Sequence, residues 1–233
     1  MAAPLDTDAT RAHWDDLASG YDAAKARNDV YYGTLKRLLQ EAVPDDARGH
    51  VLEVGCGTGQ LLAALAPTRG LGIDISPGMI DRARARQAPH PELVFDVLDA
   101  TDAAARGPFD AVVSADVLEH VPDWSAVVDA CVDACRPGGT IVLTTPNPLW
   151  TLPLWILEKA RLKMPEGPHA FVSIRRVAAR LRERGCAVRR VGTHAMIPAR
   201  LLGLGPTVSR LAADLPLLRW AGVIQMVVAT RPH

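Results

Sequence analysis

Val51-Leu52-Glu53-Val54-Gly55-Cys56-Gly57-Thr58-Gly59 is the stretch on which the fold turns, and Gln60–Leu65 follows it with helical composition. Glycines let a backbone turn sharply at a strand's end and approach a ligand closely, while the start of a helix offers free N–H groups. Outward from this unit, strand-like apolar runs recur at Gly70–Asp74, Leu93–Val97, Phe109–Ser114, Thr140–Thr145, Ala187–Gly192 and Val223–Thr230. Helix-like segments separate the first six: Gln60–Leu65, Pro77–Gln87, a short piece near Thr101–Ala105, Trp124–Cys135 and Ser173–Arg184. Such alternation predicts right-handed crossovers and an α/β fold, a doubly wound, Rossmann-like, mostly parallel sheet of seven strands. Val51–Val54 and Ala111–Val113 are almost continuously apolar, as strands buried on both faces must be.

The 233 residues, 48% hydrophobic and 22% charged, suit one globular domain able to bury a sizeable core. Basic and acidic residues balance at 26 each, so charge gives no case for a nucleic-acid partner. The balance hides a split: from Arg175 to His233 eleven arginines face only Glu183 and Asp214. A solvated arginine face is the reading adopted; the alternative is a seat for an anionic acceptor or lipid head group, with at most peripheral membrane contact. Cys56, Cys131, Cys135 and Cys186 form no C-x-x-C, Cys131 and Cys135 fall at helical i, i+4 spacing, and the first eleven residues are polar and acidic. These features point to a reducing, cytoplasmic setting without a secretory leader. The uncharged run Pro137–Leu157 is punctuated by Gly138, Gly139, Pro146, Asn147, Pro148 and Pro153, and reads as a strand, a turn and an apolar helix of a soluble protein. Abundant alanine and arginine match a GC-rich bacterial coding bias.

The turn itself narrows the ligand. Its spacing is G-x-G-x-G, whereas a dinucleotide's pyrophosphate calls for G-x-G-x-x-G. Glu53, two residues before Gly55, would repel a pyrophosphate but suits a cofactor carrying an ammonium and a sulfonium beside one carboxylate. In these respects the stretch resembles motif I of the class I S-adenosylmethionine (SAM)-dependent methyltransferases, in particular the type 11 and ubiquinone-pathway O-methyltransferase-like members. The resemblance extends, in order and at family spacing, from Trp14 to Thr145. Gly72-Ile73-Asp74-Ile75-Ser76 matches the second-strand motif, with Asp74 nineteen residues after Gly55. It implies that Asp74 accepts from both ribose hydroxyls and that Ile75 packs on adenine. Ser76-Pro77-x-Met79 enters the next helix, and Val97-Leu98-Asp99-Ala100 matches the third-strand motif. There Asp99 would accept from the adenine amino group and the Ala100 N–H would read a ring nitrogen. Phe109-Asp110-x-Val112, Leu118-Glu119-His120-Val121 and Arg136-Pro137-Gly138-Gly139-Thr140 complete the series. The cofactor contacts implied are Tyr21, Glu53, Gly55, Cys56, Gly57, Asp74, Ile75, Met79, Asp99, Ala100 and Ala115, with S-adenosyl-L-homocysteine as the spent form.

Three segments lie outside the bare alternation: a helical cap within residues 1–45, and apolar insertions at 148–171 and 195–222. In open α/β sheets ligands sit beyond the carboxyl ends of the strands. The first two segments attach near that edge and read as lid or pocket wall. Trp14-Asp15-x-x-Ala18-x-x-Tyr21-Asp22 is similar to the pattern that caps the cofactor in many superfamily members. Tyr21 would donate to the cofactor carboxylate; the alternative is that Trp14, Leu17 and Tyr21, at helical spacing, pack on the sheet. The insertions, rich in Leu and Trp (Trp150, Trp155, Leu201, Leu204, Trp220), favour a hydrophobic acceptor such as a quinone precursor, polyketide or other natural product.

For an oxygen nucleophile, methyl transfer needs alignment and a base near neutrality, and histidine meets the second need. His120, after the fourth strand, and His169, in Glu166-Gly167-Pro168-His169, are the candidate catalytic residues; His13, on the lid helix, is a further one to watch. His169 resembles the Gly-x-His element of the ubiquinone-pathway enzymes. A less favoured alternative gathers Asp116, Glu119, His120 and His169 around a divalent metal, although Asp116 stands where the resemblance expects Glu. O-methylation is therefore the expected reaction. The rival reading is a protein of the same fold that binds the cofactor yet serves as a cyclase or non-catalytic partner. A monomer or a homodimer is equally compatible with the sequence.

Overall fold

The computed structural model describes residues 6–159, 170–194 and 221–233. A seven-stranded sheet runs through it: β1 (His50–Val54), β2 (Arg69–Asp74), β3 (Leu93–Val97), β4 (Phe109–Ala115), β5 (Cys135–Pro146), β6 (Ala187–His194) and β7 (Ile224–Thr230). Their spatial order is β3-β2-β1-β4-β5-β7-β6. Pairing is parallel from β3 across to β5, while β7 lies antiparallel between β5 and β6. The sheet is thus the mostly parallel, doubly wound one expected. The chain leaves β1 towards β2 on one side and returns through β4 on the other, which opens a crevice at their carboxyl ends.

Alternation along the strands builds two cores. Leu52, Val54, Ile73, Val112 and Leu143 face α6 (Trp124–Ala134) and α8 (Ile174–Glu183), meeting Val127, Val128, Cys131, Val177 and Leu181. Val51, Ala111, Val113 and Val142 face the other way, onto α3 (Asp29–Ala42), α4 (Gln60–Leu65) and α5 (Pro77–Arg86), meeting Leu35, Leu39, Leu62, Leu65 and Ile80. Period-2 side chains on buried strands must find apolar partners on both faces, and helices on both sides supply them.

On α8 the buried residues Ile174, Val177, Ala178 and Leu181 recur at i, i+3, i+4 and i+7, leaving the arginines outside. Several arginines here are engaged, Arg176 over the Trp124 ring among them. Arg180 forks onto Asp129 with bonds of 2.9 and 2.5 Å, and Arg184 reaches Asp133 at 2.6 Å, fastening α8 to α6. Part of the basic C-terminal excess therefore serves packing.

The N-terminal cap divides into α1 (Thr7–Ala18), α2 (Tyr21–Arg27) and α3, with breaks at Gly20 and Asn28. Cys135 corrects the sequence reading: it is the C-cap of α6 and the first residue of β5, with extended dihedrals, so it does not share a helix face with Cys131. Both thiols are nonetheless buried. An apolar helix, α7 (Thr151–Lys159), follows β5 and leaves Leu152, Trp155 and Ile156 more than half exposed. Among the described residues no helix is long and apolar enough to cross a membrane.

Candidate active site

The glycine-rich turn hangs from β2. Gly55 and Cys56 both donate to the Ile73 carbonyl, at 2.8 and 2.9 Å, and Gly57 donates to Asp74 Oδ2 at 2.8 Å. Gly59 caps α4 with φ +73°, and a Cβ there would sit 2.6 Å from the Phe95 ring, so turn geometry and packing both demand glycine. Cys56 is buried beneath the turn, with its sulfur toward Gly72.

Two carboxylates flank this turn from below. Glu53 is 1% exposed, and its Oε2 accepts from the Leu62 amide at 2.9 Å, inside the first turns of α4. Burial pushes its pKa up to about 8, against the opposing pull of Lys25 and the Leu62 amide. Asp74 accepts from Gly57 through one oxygen and from Ser76 N through the other, at 3.0 Å. Burial raises its pKa too, with the Ser76 and Gly57 amides and Lys25 pulling the other way. Partly buried Ile75 follows, and the Ser76 hydroxyl caps α5 by accepting from Met79 N at 3.0 Å, with Met79 itself buried. At the tip of β3, Asp99 Oδ1 accepts from Thr101 N and Oγ1 at 2.8 and 2.6 Å, capping the 3-10 turn that begins at partly buried Ala100.

The lid is fastened over these loops by carboxylates. Asp15 Oδ1 accepts from the Ser76 hydroxyl at 2.5 Å and from Gly78 N at 2.9 Å. Asp22 Oδ1 accepts from Thr58 Oγ1 and Gln60 Nε2, at 2.7 and 2.6 Å, while its Oδ2 pairs with Arg86 at 2.7 Å. Asp15 and Asp22 stand in the quoted N-terminal pattern, yet no signal along the chain points to these partners. The Tyr21 ring covers the turn: a Cβ on Gly57 would lie 3.2 Å from Tyr21 Cε1. Lys25, one helical turn further on, sets its Nζ over the rings of Tyr21 and Tyr32. Trp14 meets both Tyr21 and His120 edge-on, at centroid distances of 6.1 and 5.1 Å.

Beyond the end of β4, after partly buried Ala115, Asp116 takes a left-handed backbone with φ +56°. Non-glycine residues hold that conformation when their surroundings fix them, and such positions cluster at functional sites. Here Tyr31 donates to Asp116 Oδ2 at 2.7 Å and Thr144 to its Oδ1 at 3.1 Å. Burial, and then the Asp116 charge, holds the Tyr31 phenol well above its ordinary pKa. Tyr31 went unnoticed in the sequence, being one aromatic among several in an amphipathic helix. Glu119 and His120 are buried, with Thr145 donating to Glu119 Oε2 at 3.1 Å and His120 Nε2 3.9 Å from Glu119 Oε1. His13, on α1, sets its ring edge-on against Trp14. His169 lies outside the described residues, as do most of the two apolar insertions. Among the described residues no three His, Cys, Asp or Glu side chains converge as metal ligands.

The arrangement brings the glycine turn and His120 against the helical lid, which reaches them with Tyr21 and Trp14. The sequence pattern of a family described as a methyltransferase domain matches residues 25–191. A ubiquinone biosynthesis O-methyltransferase from Xanthomonas campestris pv. campestris (strain B100) is 36% identical over 129 residues, covering 52% of this chain and 54% of that protein. The chain thus spans about half the length of the curated relatives it matches. Among solved structures, a chain in the complex of the Haloferax volcanii Trm112 methyltransferase activator with a methyltransferase superposes with a TM-score of 0.70 at 20% identity. That match covers 94% of this chain and 98% of the other. Magnesium protoporphyrin IX methyltransferase from Synechocystis PCC 6803, with bound SAM, gives 0.67 at 18% identity over 99% of this chain and 100% of that one. At these identities the structural likeness is one of fold.

Proposed function

Since the chain belongs to the methyltransferase-domain family, we propose that it transfers the methyl group of SAM to an oxygen of a hydrophobic small molecule, a quinone-like, polyketide or other natural-product acceptor, in a cytoplasmic setting. One observation carries the cofactor part: two carboxylates, buried Glu53 and partly buried Asp74, sit beneath a glycine turn closed by an aromatic lid. Burial pushes the Glu53 pKa up in spite of the Lys25 charge, and a positively charged ligand beside the carboxylate would relieve it further. A pyrophosphate would worsen it.

The donor supplies a methyl group on a positively charged sulfur, which the acceptor oxygen displaces in line. The chain's part is to hold, align and deprotonate. The Gly57 amide and Asp74 fix the turn; Tyr21 lies over it as a neutral donor for the cofactor carboxylate. Asp99 and Ala100 are the residues proposed to read the adenine edge, and Ile75 the one proposed to pack on its face, with Met79 a further contact. His120 is the proposed base, backed by Glu119 at 3.9 Å and covered by Trp14. Entry of the acceptor to His120 is therefore tied to movement of α1. His169 is kept as a second candidate base on the sequence resemblance; its described neighbour Ala170 donates to the Glu119 carbonyl at 2.7 Å. The exposed Leu152, Trp155 and Ile156 on α7, beyond the carboxyl end of β5, support an apolar acceptor.

The test is incubation of the purified protein with methyl-labelled SAM and a panel of phenolic and prenylated acceptors, alongside calorimetry with SAM, NAD and FAD. Label transferred to an acceptor oxygen supports the proposal. Cofactor binding with an isomerised, unlabelled product favours the cyclase reading, and uptake of NAD or FAD in place of SAM overturns the cofactor assignment.

A further inference from the structure

Lys25 is the one lysine of the lid's second helix, and its position is unusual for a solvated charge. Its Nζ lies 4.5 Å from the centroid of the Tyr21 ring and 4.7 Å from that of Tyr32. Two ring faces converging on one ammonium make a cation seat, because the electron-rich faces attract positive charge. The seat belongs to the cofactor turn: Tyr21 is the ring that closes over Gly57. The Lys25 charge also reaches Glu53, Cys56 and Asp74, the groups beneath that turn. The chain thus places its own ammonium, between aromatic faces, in the field of the two carboxylates assigned to a cationic ligand.

We infer that Lys25 is a charge-discriminating residue of the donor site: its ammonium, seated between Tyr21 and Tyr32, shares the negative field of Glu53 and Asp74 with the donor and weakens retention of the sulfonium form relative to the uncharged thioether form. The inference rests on the proposed use of SAM. SAM and S-adenosylhomocysteine share the adenosine, the α-ammonium and the carboxylate, and differ in the methyl group and the one positive charge on sulfur. A fixed ammonium nearby repels the first and is indifferent to that atom of the second. The alternative role, pairing with the shared carboxylate, would act on both ligands equally.

The experiment is titration calorimetry of the whole chain with SAM and with S-adenosylhomocysteine, for the unaltered protein, Lys25→Met and Lys25→Arg. Methionine keeps the apolar stem on the rings and removes the charge; arginine keeps both. The expected result is that Lys25→Met improves SAM affinity relative to S-adenosylhomocysteine by about three- to tenfold, the size of a like-charge repulsion discounted for solvent exposure. The gain shrinks as salt rises, and Lys25→Arg leaves the ratio near that of the unaltered protein. A ratio unchanged in Lys25→Met, or equal loss of both ligands, overturns the assignment while leaving the donor site standing. If the unaltered protein binds neither ligand, the SAM reading itself falls and takes this inference with it.

Discussion

The Asp74 carboxylate receives the Gly57 amide at 2.8 Å, so the residue proposed to hold the ribose also locks the glycine turn proposed to face the rest of the cofactor. Its second oxygen holds Ser76 N at 3.0 Å, tying the start of α5 to the same point. One side chain thus couples three pieces of the site.

Replacing Asp74 with Ala removes these anchors and the ribose acceptors together. Affinity for SAM is expected to fall by about 2–3 kcal/mol, the scale of hydrogen bonds to a charged group. Calorimetry checks it; an unchanged Kd removes Asp74 from the site.

Glu53 sets a pH dependence whose sign follows from its raised pKa. Between the ordinary value of 4.5 and about 8 the folded protein keeps a proton that the unfolded chain has released. Its contribution to stability is complete below about 4.5 and is lost as pH rises towards 8. Melting curves of the ligand-free protein and of Glu53→Gln across this window should converge at low pH and separate at high pH, the unaltered protein losing the more. Parallel curves would show that Glu53 is ionised throughout. By the same linkage, SAM binding near pH 7 should release a proton, read as a dependence of binding enthalpy on buffer ionisation, and Glu53→Gln should release less.

Asp15 anchors α1 across 61 residues of sequence to the Ser76 hydroxyl and Gly78 amide. Asp15→Ala is expected to cost about 1–3 kcal/mol in lid closure. The readout is hydrogen exchange over Thr7–Ala18, where protection should drop while β1 and β4 stay protected. Unaltered protection would mean that Trp14 packing alone holds the helix.

Tyr31→Phe deletes the phenol that steadies Asp116 in its left-handed backbone. A loss of about 2 kcal/mol in unfolding free energy is expected, since the bond is to a carboxylate in a partly buried setting. If Asp116 also orients the acceptor end of the site, turnover should fall more than SAM affinity does. Denaturant melts and initial rates separate the two effects.

Most of the sheet is legible in the sequence because its causes are local. Val51–Val54 is apolar on both faces, Gly59 meets a left-handed turn, and Ser76-Pro77 caps a helix; each is decided by residues next to one another. Asp74 and Asp99 came into view only through the family resemblance; Asp74 ends β2 and Asp99 caps the 3-10 turn after β3. Where the signal was local but ambiguous, the reading slipped: Cys135 has the i, i+4 spacing of a helix partner to Cys131, yet the chain turns into β5 at that residue.

What the sequence by itself determined is the order of strands and helices and a carboxylate-flanked glycine turn, because hydrophobic period, glycine and proline act through neighbours along the chain. What only the tertiary structure decided is who closes the site. Asp15 on Ser76, Asp22 on Thr58, Lys25 between Tyr21 and Tyr32, and Tyr31 on Asp116 are pairings made by α1–α3 folding back. Apart from Lys25 on Tyr21, an i, i+4 pair within α2, these pairings span tens of residues or join separate helices and leave no periodic trace. A polar side chain's partner is set by where distant backbone arrives, so a carboxylate that anchors a lid reads, along the chain, like any other solvated charge.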